Sequence, residues 1–330
     1  MINRYYKNSG NFVIGKKESE DFDTLVFCKH DIASEKIPSF IKTIASYSFS
    51  YSKIKEIKIS PQVKKICEGA FSGCCKLQKI EIPENSEIEI IGENAFYHTS
   101  IETVFIPQNV TQICKGAFSY CEHIKHIIIP QNAKLSMIEI GAFENSHLLQ
   151  SIFIPKSVKH ICEDCFKNCE NLEKVEFQSD SELCEIGKDA FSFTSIVIIC
   201  IPSNVTQIND KAFYNCNKLK KIEFDANSEL KKIGKNAFAS TSIKNIVVPK
   251  KVNEINDFNA FPLESIVTIE FLSDFVECKS ENFSTNIYDN LFLVSFPNAY
   301  KVSIPKYEFV DTPDNFSLFI CAGGELECFS

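Results

Sequence analysis

Leu149 to Phe166 reads L-Q-S-I-F-I-P-K-S-V-K-H-I-C-E-D-C-F. Its first half alternates apolar and other side chains with a period of two, the pattern of a short strand with one buried face. Pro155 closes the strand, because proline cannot donate to a further ladder bond. Val158, Ile161 and Phe166 then supply apolar positions on the return path. A turn this small cannot bury its own apolar face, so it folds only when similar turns stack on either side.

Those neighbours are present along most of the chain. Ala-Phe, or a close variant, recurs with its phenylalanine at Phe49, Phe71, Phe96, Phe118, Phe143, Phe166, Phe191, Phe213, Phe238 and Phe261. The intervals are 22, 25, 22, 25, 23, 25, 22, 25 and 23 residues, so short and long turns pair into a 47–48-residue unit. The long turns carry an extra Asn/Asp-Ser-Glu element, as at Asn85-Ser86-Glu87 and Asn227-Ser228-Glu229. A fixed period of this length is the signature of a solenoid. Stacked strands would align into a parallel sheet, and ten of them would run on the order of 45 Å at ~4.8 Å per strand.

Pro107-Gln-Asn-Val110-Thr-Gln-Ile113-Cys-Lys-Gly-Ala117-Phe118-Ser-Tyr-Cys121 carries the repeat almost completely. The I-P-x-x-V-x-x-I-x-x-x-A-F-x-x-C-x-x-L string resembles the BspA-like leucine-rich repeats. The resemblance implies an α/β leucine-rich-repeat solenoid, a curved right-handed coil. It would carry a short-stranded parallel sheet on one face and irregular or short helical returns on the other. It also implies kinship with surface or secreted proteins of oral bacteria and parasitic protozoa that adhere to host proteins. The expected organisation is a hairpin-like cap over residues 1–36, ten repeats over 37–271, and a hairpin-like insert with a degenerate terminal repeat over 272–330. The two end segments share a pattern, Asp23-Thr-Leu25-Val-Phe27 and Asp289-Asn-Leu291-Phe-Leu293, each followed by Ile-Pro.

Composition narrows the function. A net charge of −8 and the lack of a Lys/Arg block argue against nucleic-acid binding. Met1-Ile2-Asn3-Arg4-Tyr5-Tyr6-Lys7 is followed by no apolar run, so no secretory signal is visible. The densest apolar run, Ser195 to Pro202, falls far short of the ~20 residues that a membrane helix needs. By sequence alone the chain would be cytoplasmic; by resemblance it would sit at a cell surface.

Fifteen cysteines, an odd number, cannot all pair within the chain. Cys67, Cys114 and Cys162 lie four residues before an anchor phenylalanine; Cys74, Cys121, Cys169 and Cys216 lie three after one. Equivalent positions two turns apart are separated by ~10 Å, too far for a disulfide, so the expectation is a ladder of small buried side chains. Free thiols also favour a reducing compartment. Cys162-x-x-Cys165 with Cys169 falls on these repeat positions, and His123-x-x-His126 has no companion pair, so no metal or cofactor is expected. No G-x-S-x-G elbow, H-E-x-x-H helix, phosphate loop or EF-hand string occurs, so no catalytic residues and no enzyme activity are expected. Asn109-Val-Thr111 and Asn204-Val-Thr206 are sequons in equivalent turns, which duplication explains; Asn282 and Asn315 head two more.

A binding protein needs a surface, and the outward sheet positions supply one. The outward residue nearest Ile-Pro reads Lys58, Glu81, Phe105, Ile128, Phe153, Glu176, Cys200, Glu223, Val247 and Glu270 in successive turns. Phe105, Ile128 and Phe153 would form an exposed apolar stripe bordered by Glu81 and Glu176. The adjoining column contributes Thr103, His126 and Ser151 beside it. An apolar patch rimmed by polar groups marks an interaction site, so the expected partner is a protein docked there.

Overall fold

The computed structural model describes residues 6–16, 22–256, 258–262 and 264–272. Beyond these it describes the backbone of the strands Phe275–Cys278, Leu293–Phe296, Lys301–Ser303, Leu318–Ala322 and Glu325–Phe329. The chain divides into two compact units, Met1–Ser179 and Asp180–Ser330.

The first unit opens with an antiparallel meander of Tyr6–Ser9, Phe12–Gly15 and Thr24–Cys28. The last of these pairs in parallel with Thr43–Ile44, the first of a column of two-residue strands on the return side. The column continues through Lys65–Ile66, Ile90–Ile91, Gln112–Ile113, Met137–Ile138 and His160–Ile161, with one isoleucine per turn in register. On the outward face Ser34–Lys36, Glu56–Lys58 and Lys79–Glu81 form one parallel sheet. Thr103–Phe105, His126–Ile128, Ser151–Ile154 and Lys174–Phe177 form another.

The second unit repeats the plan. Glu185–Ile186, Gln207–Ile208, Lys232–Ile233, Glu254–Ile255, Phe275–Cys278 and Lys301–Ser303 make its return column. Ile198–Ile201 pairs with Lys221–Phe224, and Asn245–Val248 heads a sheet continued by Thr268–Phe271, Leu293–Phe296 and Leu318–Ala322. Glu325–Phe329 folds back antiparallel on Leu318–Ala322. The segment of the expected insert at Leu293–Phe296 thus lies parallel within the sheet. Asp289 to Leu291, the turn expected from Ile304, and the sequons at Asn282 and Asn315 lie outside the described residues.

The return side corrects the expected fold class. The only helical segment among the described residues is a 3₁₀ turn at Phe258–Ala260, so the solenoid is all-β and its returns are not short helices. In nine turns, from Phe49 to Phe238, the residues two before and two after the anchor phenylalanine both have positive φ. A left-handed residue interrupts a right-handed helix every fourth position, and each costs an ordinary side chain roughly 1–2 kcal/mol. Gly69, Gly73, Asn94, Gly116, Gly141, Asn145, Asp164 and Asn168 are residue types that tolerate it best.

Backbone bonding explains why this path is stable. Gly69, Phe71 and Gly73 donate across to the next turn, to Glu93, Ala95 and Tyr97 carbonyls at 2.8, 2.7 and 2.8 Å. The intervening amides of Ala70, Ser72 and Cys74 donate back three residues within their own turn. Alternate amides therefore serve alternate purposes, and no donor in the stretch is left to water. Three of the four long turns absorb their extra residues in the same economical way, and the fourth has Ala133 at that position. Ser86, Ser181 and Ser228 are buried, and each hydroxyl accepts from the amide two residues on, at 3.3 Å.

Apolar packing fills the interior. The ten anchor phenylalanines are at most 1% exposed. In the first unit their rings stack nearly parallel, with centroids 4.6–5.5 Å apart from Phe49 to Phe166. In the second unit Phe191, Phe213 and Phe238 stack at 5.4 and 5.6 Å. The spacing follows the strand separation, which places identical side chains directly over one another. Phe12 meets Phe49 edge-on at 6.2 Å and so closes the first stack from the N-terminal meander.

Candidate functional site

The outward strands of the first unit present two columns of side chains in register. Thr103 lies beside His126, and His126 beside Ser151. Phe105 lies beside Ile128, and Phe153 beside Glu176. Between them the buried residues Val104, Ile127, Ile152 and Val175 point into the core, so the outward set cannot rotate inward without a register slip. Ile128 is 50% exposed, while Phe105 and Phe153 are half-buried. Thr103, His126 and Ser151 are exposed.

The two borders of this stripe differ. Glu176 shares a sheet with Phe153 and forms an ion pair with Lys174. Glu81 belongs to the separate sheet of Ser34–Glu81, so the ladder is broken between it and Phe105. There Glu81 is held by Lys58 at 2.7 Å and by Lys79, which also reaches Glu56 at 3.0 Å. Hydrogen bonds from Lys58 and Lys79 pull the Glu81 carboxyl down to about 2. The same column therefore changes from ion pairs to hydrocarbon within one turn.

In the second unit the outward column is mixed. Cys200 is exposed, and its Sγ donates to Glu223 Oε2 at 3.1 Å; Glu223 also pairs with Lys221. Ile198 and Val247 are 51% and 48% exposed, but Ile198 lies beside Lys221 and Val247 beside Glu270.

The chain matches the model of the BspA-type leucine-rich repeat region, six copies, over residues 20–137 and 136–262. This chain belongs to the BspA-type leucine-rich repeat family. No curated protein matches it in sequence. Among solved structures it is similar to a leucine-rich repeat protein from Bacteroides ovatus, 24% identical with a TM-score of 0.52. That match covers 89% of this chain and 88% of the other. It is also similar to the pneumococcal vaccine antigen PcpA, 18% identical with a TM-score of 0.51, over 92% of this chain and 99% of that one. At such identities the likeness speaks for the fold alone.

Within the BspA-type repeat the cysteines occupy two different environments. Cys67, Cys74, Cys121, Cys169 and Cys216 are buried, whereas Cys114 and Cys162 are only half-buried, at the corner where the chain leaves the two-residue strand. Cys67 shares the corner position of Cys114 and Cys162, while Cys74, Cys121, Cys169 and Cys216 belong to a longer ladder that the cysteines alone did not reveal. The position three after each of the first nine anchors reads Ser52, Cys74, Thr99, Cys121, Ser146, Cys169, Thr194, Cys216 and Thr241. Hydroxyl and thiol alternate turn by turn. Thr99 Oγ1 and Thr194 Oγ1 lie 3.2 Å from Cys121 Sγ and Cys216 Sγ. Each of those thiols donates to the carbonyl of the anchor phenylalanine one turn back, Phe96 and Phe191, at 3.0 Å. Burial pushes the Cys121 and Cys216 thiols up to about 11 and Cys169 to about 12, so none is a nucleophile at neutral pH. Reading the column by position rather than by residue type would have found the pattern.

The repeated sequons also have a structural role. Asn109 Nδ2 donates to the Ser86 carbonyl at 3.2 Å and Asn204 Nδ2 to the Ser181 carbonyl at 2.7 Å. Thr111 and Thr206 hydroxyls donate to Glu89 and Cys184 carbonyls. Both sequons therefore tie a short turn to the serine of the long turn before it. No helix of the described residues is long and apolar enough to cross a membrane.

Proposed function

We propose that this chain is a non-catalytic protein-binding solenoid acting in adhesion or host interaction, and that its partner docks on the outward sheet around Phe105, Ile128 and Phe153. The observation that carries the reading is the run of three large apolar side chains on consecutive rungs, framed by Thr103, His126, Ser151 and Glu176, with Glu81 across the break. Elsewhere in the same column ion pairs or single apolar residues stand at these positions. Fully covering a side chain of this size is worth about 1.5–3 kcal/mol, so three adjacent ones suffice for the centre of a binding patch.

The test uses immobilised chain and a host extracellular-matrix preparation, comparing the native protein with Phe105→Ser/Phe153→Ser. Loss of at least about tenfold in retained partner, with an unchanged melting temperature, is the expected result. Equal retention by the two overturns the stripe as the docking site.

A second reading is an intracellular interaction scaffold. It rests on the buried thiols of Cys74, Cys121, Cys169 and Cys216, which are not bridged to one another and suit a reducing compartment. Antibody labelling of intact, unpermeabilised cells separates the two: labelled cells support adhesion, and label seen only after permeabilisation supports the scaffold.

A further inference from the structure

Left-handed positions beside the anchor phenylalanines are mostly taken by glycine, asparagine or aspartate, yet three carry tyrosine. Tyr47, Tyr51 and Tyr120 all have φ of 58°. A bulky residue in this conformation is an outlier that the surrounding structure must maintain, and such outliers point towards function. Their rings face water: Tyr51 is 75% and Tyr47 55% exposed. Both rings lie over glycines of the following turn. A Cβ at Gly69 would come within 2.3 Å of the Tyr47 ring, and one at Gly73 within 2.5 Å of the Tyr51 ring. The ledge thus requires two choices at once, tyrosine above and glycine below. Further along the same edge Tyr97 and Tyr120 meet edge to face, with centroids 5.5 Å apart.

The edge carries carboxylates in two consecutive turns, before Lys115 takes that position in the next. Glu68 and Glu93 are exposed and occupy the same position in consecutive turns. Glu68 accepts a hydrogen bond from the Tyr47 hydroxyl, and no ion pair to either carboxylate is found among the described residues. The second unit shows how this edge is completed where the sequence provides a cation. There Phe193 and Tyr214 form a similar edge-to-face pair at 5.6 Å, and Lys211 Nζ lies over the Tyr214 ring at 5.7 Å. Lys211 stands two before its anchor, at the turn position that Gly69 and Gly116 occupy in the first unit. Gly116 has no such side chain, and no cation over the Tyr97 or Tyr120 ring is found among the described residues.

We propose that the turn edge formed by Tyr47, Tyr51, Tyr97 and Tyr120, with Glu68 and Glu93, receives the cationic side chains of an Arg- or Lys-rich segment of a partner protein. Guanidinium or ammonium groups are attracted to the tyrosine faces by the ring quadrupole and to the carboxylates by charge. Surface attraction of this kind is weakened by salt. The surface is distinct from the apolar sheet stripe, so the chain would hold a partner by two different chemistries on two faces.

The full chain is titrated against fluorescein-labelled octa-arginine, followed by anisotropy at about 150 mM salt. Tyr47→Asn/Tyr51→Asn is a safe variant, because asparagine already occupies equivalent positions at Asn94, Asn145, Asn168, Asn215 and Asn236 with φ of 50–60°. The expected result is a Kd raised about five-fold or more by this pair and by Glu68→Gln/Glu93→Gln, with Phe105→Ser/Phe153→Ser unchanged. No binding by the native chain overturns the proposal. So does an unchanged Kd in the tyrosine pair, which would assign the attraction to net charge. Loss with the tyrosine pair but not with the glutamine pair also overturns it, because the carboxylates would then take no part in holding the cation.

Discussion

The sheet strands at 34–81 and those at 103–177 in the first unit share a backbone plan and differ in what they show to solvent. The first presents Lys58, Lys79, Glu56 and Glu81 in a connected set of ion pairs. The second presents Phe105, Ile128 and Phe153. Beneath both runs the same stack of phenylalanines and the same column of isoleucines. In a solenoid each turn's stability comes from its inward residues and its neighbours. The outward column is therefore free to differ from rung to rung without altering the fold, and that freedom is where function resides.

If the two stretches share one core, damage to it should cost the same in either. Phe71→Ala and Phe118→Ala should each lower unfolding free energy by about 3–5 kcal/mol, read from urea denaturation. A gap between them well beyond ~1 kcal/mol would mean that the stretches are not equivalent inside. A substitution on the outward face should matter far less. Ile128→Lys, which extends the ionic character into the apolar stretch, should change stability by no more than about 0.5 kcal/mol while weakening partner capture. A loss comparable to that of Phe118→Ala would show that Ile128 belongs to the core.

The smallest effect concerns the ionic stretch itself. Glu81 has its folded-state pKa depressed to about 2 by Lys58 and Lys79, against about 4.3 in an unfolded chain. A depressed carboxylate stabilises the fold above the unfolded value, and the contribution is lost as pH falls from about 4.3 through about 2. Carboxyl titration by NMR should give Glu81 a midpoint well below an ordinary glutamate, rising in Lys58→Met and in high salt. A normal midpoint in the native chain would mean that the network is not formed in solution.

Much of this could be read in the sequence, and what escaped has identifiable causes. The inward strand positions were legible because burial imposes a strict alternation, so L-x-x-I-x-I assigns a face to every residue. The columns Phe105–Ile128 and Thr103–His126–Ser151 followed from that alternation plus the repeat period, and the registers pair them. Of the irregular or short helical returns expected, the helical alternative is not found, although Gly69/Gly73, Asn94 and Asp164/Asn168 stand at fixed offsets from their anchors. Their meaning is conformational and lies in φ, which hydrophobic periodicity does not sense. The hydroxyl–thiol ladder was half seen, because cysteine attracts notice and serine or threonine at the same position does not. The break between Glu81 and Phe105 had no signal in residue type at all, since both flanking strands carry the repeat intact.

The sequence by itself determined that the chain is a stack, its period, its anchor residues and the side of each strand that faces water. These follow from local chemistry repeated along the chain: apolar burial with period two, proline at strand ends, and one phenylalanine per turn. Only the tertiary structure decided how the returns run, where the outward sheet is interrupted and which exposed residues become neighbours. Tyr51 and Gly73 are unremarkable in sequence; stacking puts one ring over the other's missing Cβ. Such pairings join residues a full turn apart, and the geometry of the stack, not the identity of either residue, sets the distance between them.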